Sequence, residues 1–157
     1  MYKKILMVLA LVCVLTANDS YNMNFDRETT CTVRNFKVYE APQWVCKIEL
    51  NSGKELFFCS PKSMLEFYLV PGRWYHVGVK SESDFKNIVV TDYETLKPIN
   101  ARGAFYVYGS NTISPAGDDL IPFATYDAAK KFASEHNGKR ILSFTEISVG
   151  LIDWLNG

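Results

Sequence analysis

Four cysteines, four methionines and two histidines make up the soft and borderline metal ligands of this 157-residue chain. Cys13 lies in an N-terminal apolar run, leaving Cys31, Cys46 and Cys59 in the body of the sequence. Thiolates suit a soft metal ion, and in an oxidising compartment they also close disulfides. Met23, Met64, His76 and His136 are the other candidate ligands in the body. Redox exchange of the thioredoxin kind has no motif here, because Cys31-Thr32-Val33-Arg34 lacks the second sulfur. No phosphate loop, Gly-x-Ser-x-Gly elbow or His-x-x-x-His pair is present, so the sequence does not read as an enzyme. His136 stands near the end of an expected helix, where the dipole favours a cation without any chemistry. His76 alternates with Trp74 as a surface or packing residue, and Asp118-Asp119 reads as solvated loop charge.

The elements that must position these groups are read from pattern. Residues 18–34 are polar and turn-rich, a mobile lead-in. Asn35 to Leu50 is strand-like, broken at Pro42, and Asn51-Ser52-Gly53-Lys54 is a turn before a second strand from Glu55 to Cys59. Ser60 caps a helix that begins at Pro61, carries Met64, Leu65 and Tyr68 inward, and stops at Pro71-Gly72. Further β-rich stretches are 74–79, 87–91 and 104–108. A loop over 109–119 leads to 120–123, a helix at 125–136 and Gly138 as its C-cap. A strand at 139–144 and a last helix capped by Thr145 close the chain. Strand–turn–strand–helix occurs twice. The fold class is α+β: two related ββαβ-type units with antiparallel pairing and helices on one face, at 35–72 and 73–157.

The first hairpin fixes a relation between two sulfurs. With either a two-residue or a four-residue loop, Cys46 stands opposite Cys59, within reach of a disulfide. A three-residue loop shifts the register by one and separates them. A cross-strand disulfide, two buried thiols and a metal pair are the three readings of this placement.

Lys3 and Lys4 precede an unbroken apolar run from Ile5 to Leu15, followed by Thr16-Ala17 and a polar start. That is the pattern of a secretory signal over residues 1–17, too short to span a bilayer. Val12 before Cys13 is a poor fit to a lipidation site, so membrane association applies only if a lipid is attached. Removing the signal leaves 140 residues with 15 basic and 17 acidic side chains. Without a basic footprint the sequence gives no sign of a nucleic-acid partner.

Val90-Thr91-Asp92-Tyr93, Ala104 to Ser110, Ser114 to Phe123 and Ile141 to Ile147, with Cys31, Trp44 to Leu50 and Phe57 to Tyr68 upstream, follow one another in a set order. Together these runs resemble the NosL family of nitrous-oxide reductase accessory proteins. The resemblance covers about residues 31–147 and implies an exported, copper(I)-binding protein of two ββαβ units, often lipid-anchored. It also implies nitrous-oxide reductase or its assembly machinery as partner, and the periplasm as location. The departures fall on the metal site. The family's Cys-x-x-Cys-Gly-Met is here Cys31-Thr32-Val33-Arg34-Asn35-Phe36, and its Pro-Met-Gly is Pro115-Ala116-Gly117. Asp118 stands where some members have histidine. Arg34, Ala116 and Asp118 therefore occupy ligand positions without a soft donor. Two readings follow: a copper(I) accessory protein with a rearranged ligand set drawn from Cys31, Cys46, Cys59 and Met64, or a metal-free paralogue acting as a partner-binding module in the same pathway.

Overall fold

The computed structural model describes residues 21–157. The expected signal segment and Cys13 lie outside those residues. Two antiparallel sheets and three α-helices form the α+β fold. The larger sheet has strands β1 (Cys46–Leu50), β2 (Glu55–Phe58), β3 (Phe85–Thr91) and β4 (Pro98–Asn100) in the order β2-β1-β3-β4. The smaller holds β5 (Phe105–Ser114), β6 (Gly117–Phe123) and β7 (Arg140–Ser143) in the order β6-β5-β7. Helices α1 (Pro61–Leu69), α2 (Tyr126–Glu135) and α3 (Val149–Asn156) follow β2, β6 and β7. The sheets divide near residue 100 rather than at residue 72, because β3 and β4 join the sheet of the first hairpin.

Alternation along the strands builds two cores. Cys46, Ile48, Leu56, Phe58, Ile88 and Val90 share one face of the larger sheet and join Tyr106, Leu120 and Leu142 of the smaller one in the main cluster. On the opposite face of the smaller sheet Val107, Ile121 and Phe123 meet Ala129 and Phe132 of α2, with Trp44. The smaller sheet is thus covered on both sides, and the helices are not confined to one face. Each helix begins as its sequence dictates: Ser60 accepts from the Ser63 N–H, Thr125 from the Ala128 N–H and Ser148 from the Leu151 N–H.

Several expectations are corrected. The first hairpin has a three-residue loop: Leu50 N–H donates to the Lys54 carbonyl at 2.9 Å, and Gly53 takes φ +87° to close it. Cys46 therefore pairs with Phe58 rather than standing opposite Cys59, and both are free thiols in this structure. Residues 35–45 hold the 3₁₀ turns Val38–Glu40 and Pro42–Trp44 before the strand begins at Cys46. Pro71 opens another 3₁₀ run, Pro71–Val77, where a strand was expected, so His76 is not on a strand. Residues 109–119 are mostly strand, turning at Pro115-Ala116. The last helix is capped by Ser148 rather than Thr145.

The end of α2 differs too. Asn137 takes the left-handed conformation (φ +58°) and Gly138 donates its N–H to the Ala133 carbonyl at 2.8 Å. Gly138 is required for space rather than for conformation, since a Cβ there would sit 2.7 Å from Val107 Cγ1 and 2.8 Å from Ala133.

The lead-in, over its described part, is ordered because it covers the outer face of the larger sheet. Phe25 packs edge-on against Phe57, and Asn22 accepts from Lys47 Nζ at 2.7 Å. Lys47 is thereby fully buried, with Glu49 at 2.7 Å and Glu55 at 2.9 Å balancing its charge.

Candidate functional site

Cys31 sits in a tight turn at the end of the lead-in. Its N–H donates to the Phe36 carbonyl at 2.8 Å, and its carbonyl accepts from Asn35 N–H at 2.9 Å. Asn35 holds φ +58°, a conformation that asparagine tolerates better than most residues. Thr32 N–H donates to the Phe57 carbonyl at 2.8 Å, fastening this turn to the end of β2. Cys59 lies just beyond that strand end and one residue before the cap of α1.

The two cysteines are consequently drawn together. The Cys31 and Cys59 thiols perturb each other's ionisation, and the backbone N–H groups of Cys59, Arg34 and Val33 act on Cys31. The Cys59 thiol, and then these backbone donors, outweigh burial and bring the Cys31 thiol down to about 6. Cys59 shifts the opposite way, raised first by Cys31 and then by burial. Both residues are buried, and Ser63 Oγ lies 3.7 Å from the Cys59 sulfur.

Cys46 is near this pair but not part of it. Its thiol points to the Trp44 carbonyl at 3.5 Å, and burial, followed by the negative charges of Asp119 and Cys31, raises its pKa well above the usual thiol value. Met64 is fully buried in the same core, and Met23 packs with the lead-in. His76 is exposed, while His136 stacks on Phe132 with ring centroids 4.1 Å apart. Among the described residues no group of three or more His, Cys, Asp or Glu side chains is arranged to hold a metal ion.

The three positions that lack soft donors carry other chemistry. The Arg34 guanidinium donates to Ser63 Oγ at 3.0 Å, Glu66 at 3.0 Å and Asn156 Oδ1 at 2.9 Å, tying the turn to α1 and α3. Ala116 forms the tip of the β5–β6 hairpin, with its N–H bonded to Ser114 Oγ at 2.9 Å. Asp118 is exposed and borders a cavity of about 290 Å³ that also touches Tyr108, Lys139 and Trp154.

Asp119, expected in solvent, is instead 3% exposed. It accepts from the Lys62 backbone N–H at 2.7 Å, from Ser114 Oγ at 2.7 Å and from its neighbour Leu120 at 2.8 Å. Burial raises its pKa despite those donors and Ser60. Lys62, also buried, donates Nζ to the Leu155 carbonyl at 2.9 Å; burial lowers its pKa, with Asp119 opposing and Arg34 adding to the fall. Asp119 reads from the sequence as solvated charge, and Lys62 and Ser63 carry no signal there. The only trace of the first was a carboxylate five residues after Ser114 across a Pro-Ala-Gly turn.

Residues 22–152 match the NosL family model, and the chain belongs to that family. Its fold is similar to a crystal structure described as the copper chaperone NosL from Shewanella denitrificans. The identity is 24%, the TM-score 0.70, and the match covers 83% of this chain and 98% of that one. A solution structure of the apo-NosL protein from Achromobacter cycloclastes is 23% identical, covers 68% of this chain and 87% of its own, and has a TM-score of 0.43. No curated protein sequence matches the chain.

Proposed function

We propose that this protein is an exported copper(I)-handling accessory protein of the nitrous-oxide reductase maturation pathway, with Cys31 and Cys59 as its metal-holding pair. The convergence of those two thiols carries the reading. Copper(I) is soft and accepts two thiolates as a sufficient donor set, whereas Arg34, Ala116 and Asp118 offer it nothing. The Cys59 thiol, and then backbone N–H groups, lower the Cys31 thiol and so favour the thiolate that copper(I) takes. Copper is cargo here, and the chain's own part is to present two sulfurs in a buried turn that excludes water. The Arg34 cation, which acts on the Cys59 thiol, offsets part of the negative charge that a dithiolate–copper(I) unit carries.

The family membership supports the pathway, and the apolar segment at 5–15 supports export to the periplasm. Anaerobic competition of the reduced protein against a copper(I) chelator tests the chemistry. One-to-one uptake is expected, and no uptake would end this reading. Loss of nitrous-oxide reduction in a cell lacking this protein tests the pathway separately.

The second reading, a metal-free partner-binding module, has its own observation. Arg34 stands at a ligand position and is fully engaged by Ser63, Glu66 and Asn156, which locks the turn without a metal. Under this reading the chelator keeps all the copper, while an assembly protein co-purifies with the chain.

A further inference from the structure

We propose that residues 31–36 form a hinged flap over the Cys59 thiol, with the Arg34 guanidinium as its latch. As a gate for copper(I) the flap rests on the copper reading; as a barrier to the thiol it does not depend on metal at all. The segment is closed on itself. Thr30 and Lys37 pair at its base, the Cys31 N–H donates to the Phe36 carbonyl at 2.8 Å, and the Asn35 N–H donates to the Cys31 carbonyl at 2.9 Å. Those bonds travel with the segment when it swings. Its ties to the body are the Thr32 N–H on the Phe57 carbonyl at 2.8 Å, the packing of Cys31 and Val33 on the main cluster, and the Arg34 side chain.

The latch lies where a reagent has to pass. Arg34 Nε and the Cys59 sulfur share one hydroxyl, Ser63 Oγ, at 3.0 and 3.7 Å. The Arg34 side chain is 26% exposed and Cys59 only 2%, so the guanidinium stands between that thiol and solvent. Its other bonds reach two helices, Glu66 of α1 at 3.0 Å and Asn156 of α3 at 2.9 Å. Arg73 braces the same junction, 3.8 Å from Glu66 and 3.6 Å from Asp153 of α3. One arginine thus pins the tip of the flap across two helices, and releasing it opens a local segment while both sheets stay intact. Cys46 lies outside the flap. It pairs with Phe58 within the larger sheet and its thiol points to the Trp44 carbonyl, so reagents reach it only when that sheet comes apart.

Timed alkylation of the reduced, folded full-length chain with N-ethylmaleimide tests this without metal. Trypsin then reports Cys59 in peptide 55–62 and Cys46 in peptide 38–47. Arg34→Ala is expected to raise the Cys59 rate about tenfold or more while the Cys46 rate holds. Arg34→Lys keeps the charge without the fork that spans three acceptors, and its rate is expected between those of wild type and Arg34→Ala. Glu66→Gln is expected to raise the Cys59 rate less than Arg34→Ala does, and Thr125→Ala to leave the ratio of the two rates unchanged. A Cys59 rate unmoved by Arg34→Ala would overturn the proposal. Equal rises at Cys46 and Cys59 in Arg34→Ala mark general loosening; Glu66→Gln then decides, and equal rises there too would overturn the flap. Copper(I) competition on the wild-type protein separates the two ideas. A latched flap without copper uptake removes the copper reading alone; copper uptake with a Cys59 rate indifferent to Arg34 removes this one alone.

Discussion

Helices α1 and α2 each follow an antiparallel hairpin and each begin at a hydroxyl cap, Ser60 and Thr125, yet their N-terminal ends have opposite character. Around α2 the first turn is exposed, and the helix contributes Ala129 and Phe132 to an apolar cluster with Val107, Ile121 and Phe123. Around α1 the first turn is buried and polar: Ser60, Lys62 and Ser63 are covered, the Asp119 carboxylate receives the Lys62 N–H, and the Cys31–Cys59 pair lies alongside. The difference comes from what is laid across each helix end. The lead-in turn and the β5–β6 hairpin both bring polar groups to α1, whereas α2 meets its own sheet and the rings of Trp44 and Tyr93. One supersecondary frame thus serves as packing at one end and as a chemical site at the other, and the added segments decide which.

The largest expected break in this comparison is Asp119→Ala. It strands the Lys62 N–H and the Ser114 hydroxyl in a buried region and removes the counter-charge nearest Lys62, for a loss of about 2–4 kcal/mol in urea unfolding. Gly138→Ala tests the inert end through sterics alone. Its new methyl group meets Val107 and Ala133 inside van der Waals distance, and about 1–3 kcal/mol of stability is expected to go without any change in thiol reactivity. Thr125→Ala removes only an exposed cap and costs about 1 kcal/mol, read from the same unfolding curves.

The smallest effect is a pH dependence confined to the polar end. The folded Cys31 value, about 6, lies below its unfolded value near 9. Between those limits the folded pair binds fewer protons than the unfolded chain. Its stabilisation is therefore greatest near pH 9 and is lost as pH falls through about 6. The stability difference between wild type and Cys31→Ser should shrink from pH 8.5 to pH 5.5, whereas Thr125→Ala should show no such trend. A pH-independent Cys31→Ser difference would mean that the Cys31 thiol is not lowered in the folded chain.

What was legible in the sequence follows the same division. Ser60-Pro61 and Thr125 announced their helices because capping is local chemistry, written in one or two residues. The two strand–turn–strand–helix runs and the candidate sulfurs were visible as well. The sulfur pairing was not, since it turns on one residue of loop length: Gly53 at positive φ closes a three-residue loop and moves Cys46 out of register with Cys59. The ordered lead-in was hidden for a different reason. Its polar residues looked solvated, but Asn22 is the partner that lets Lys47 be buried, 25 positions away. Residues 109–119 read as loop because Asn111 and Ser110 are poor strand formers, yet the Asn111 N–H is satisfied by the His136 carbonyl at 2.9 Å. Asp119 escaped because nothing local distinguishes it from Asp118; only the arrival of α1 does.

X-ray absorption at the copper edge, on anaerobically loaded protein, tests the central claim most directly. Two sulfur neighbours around copper(I) are expected, unchanged in Cys46→Ser and lost in both Cys31→Ser and Cys59→Ser. Sulfur neighbours that persist in Cys31→Ser, or a shell made of nitrogen and oxygen alone, would contradict it.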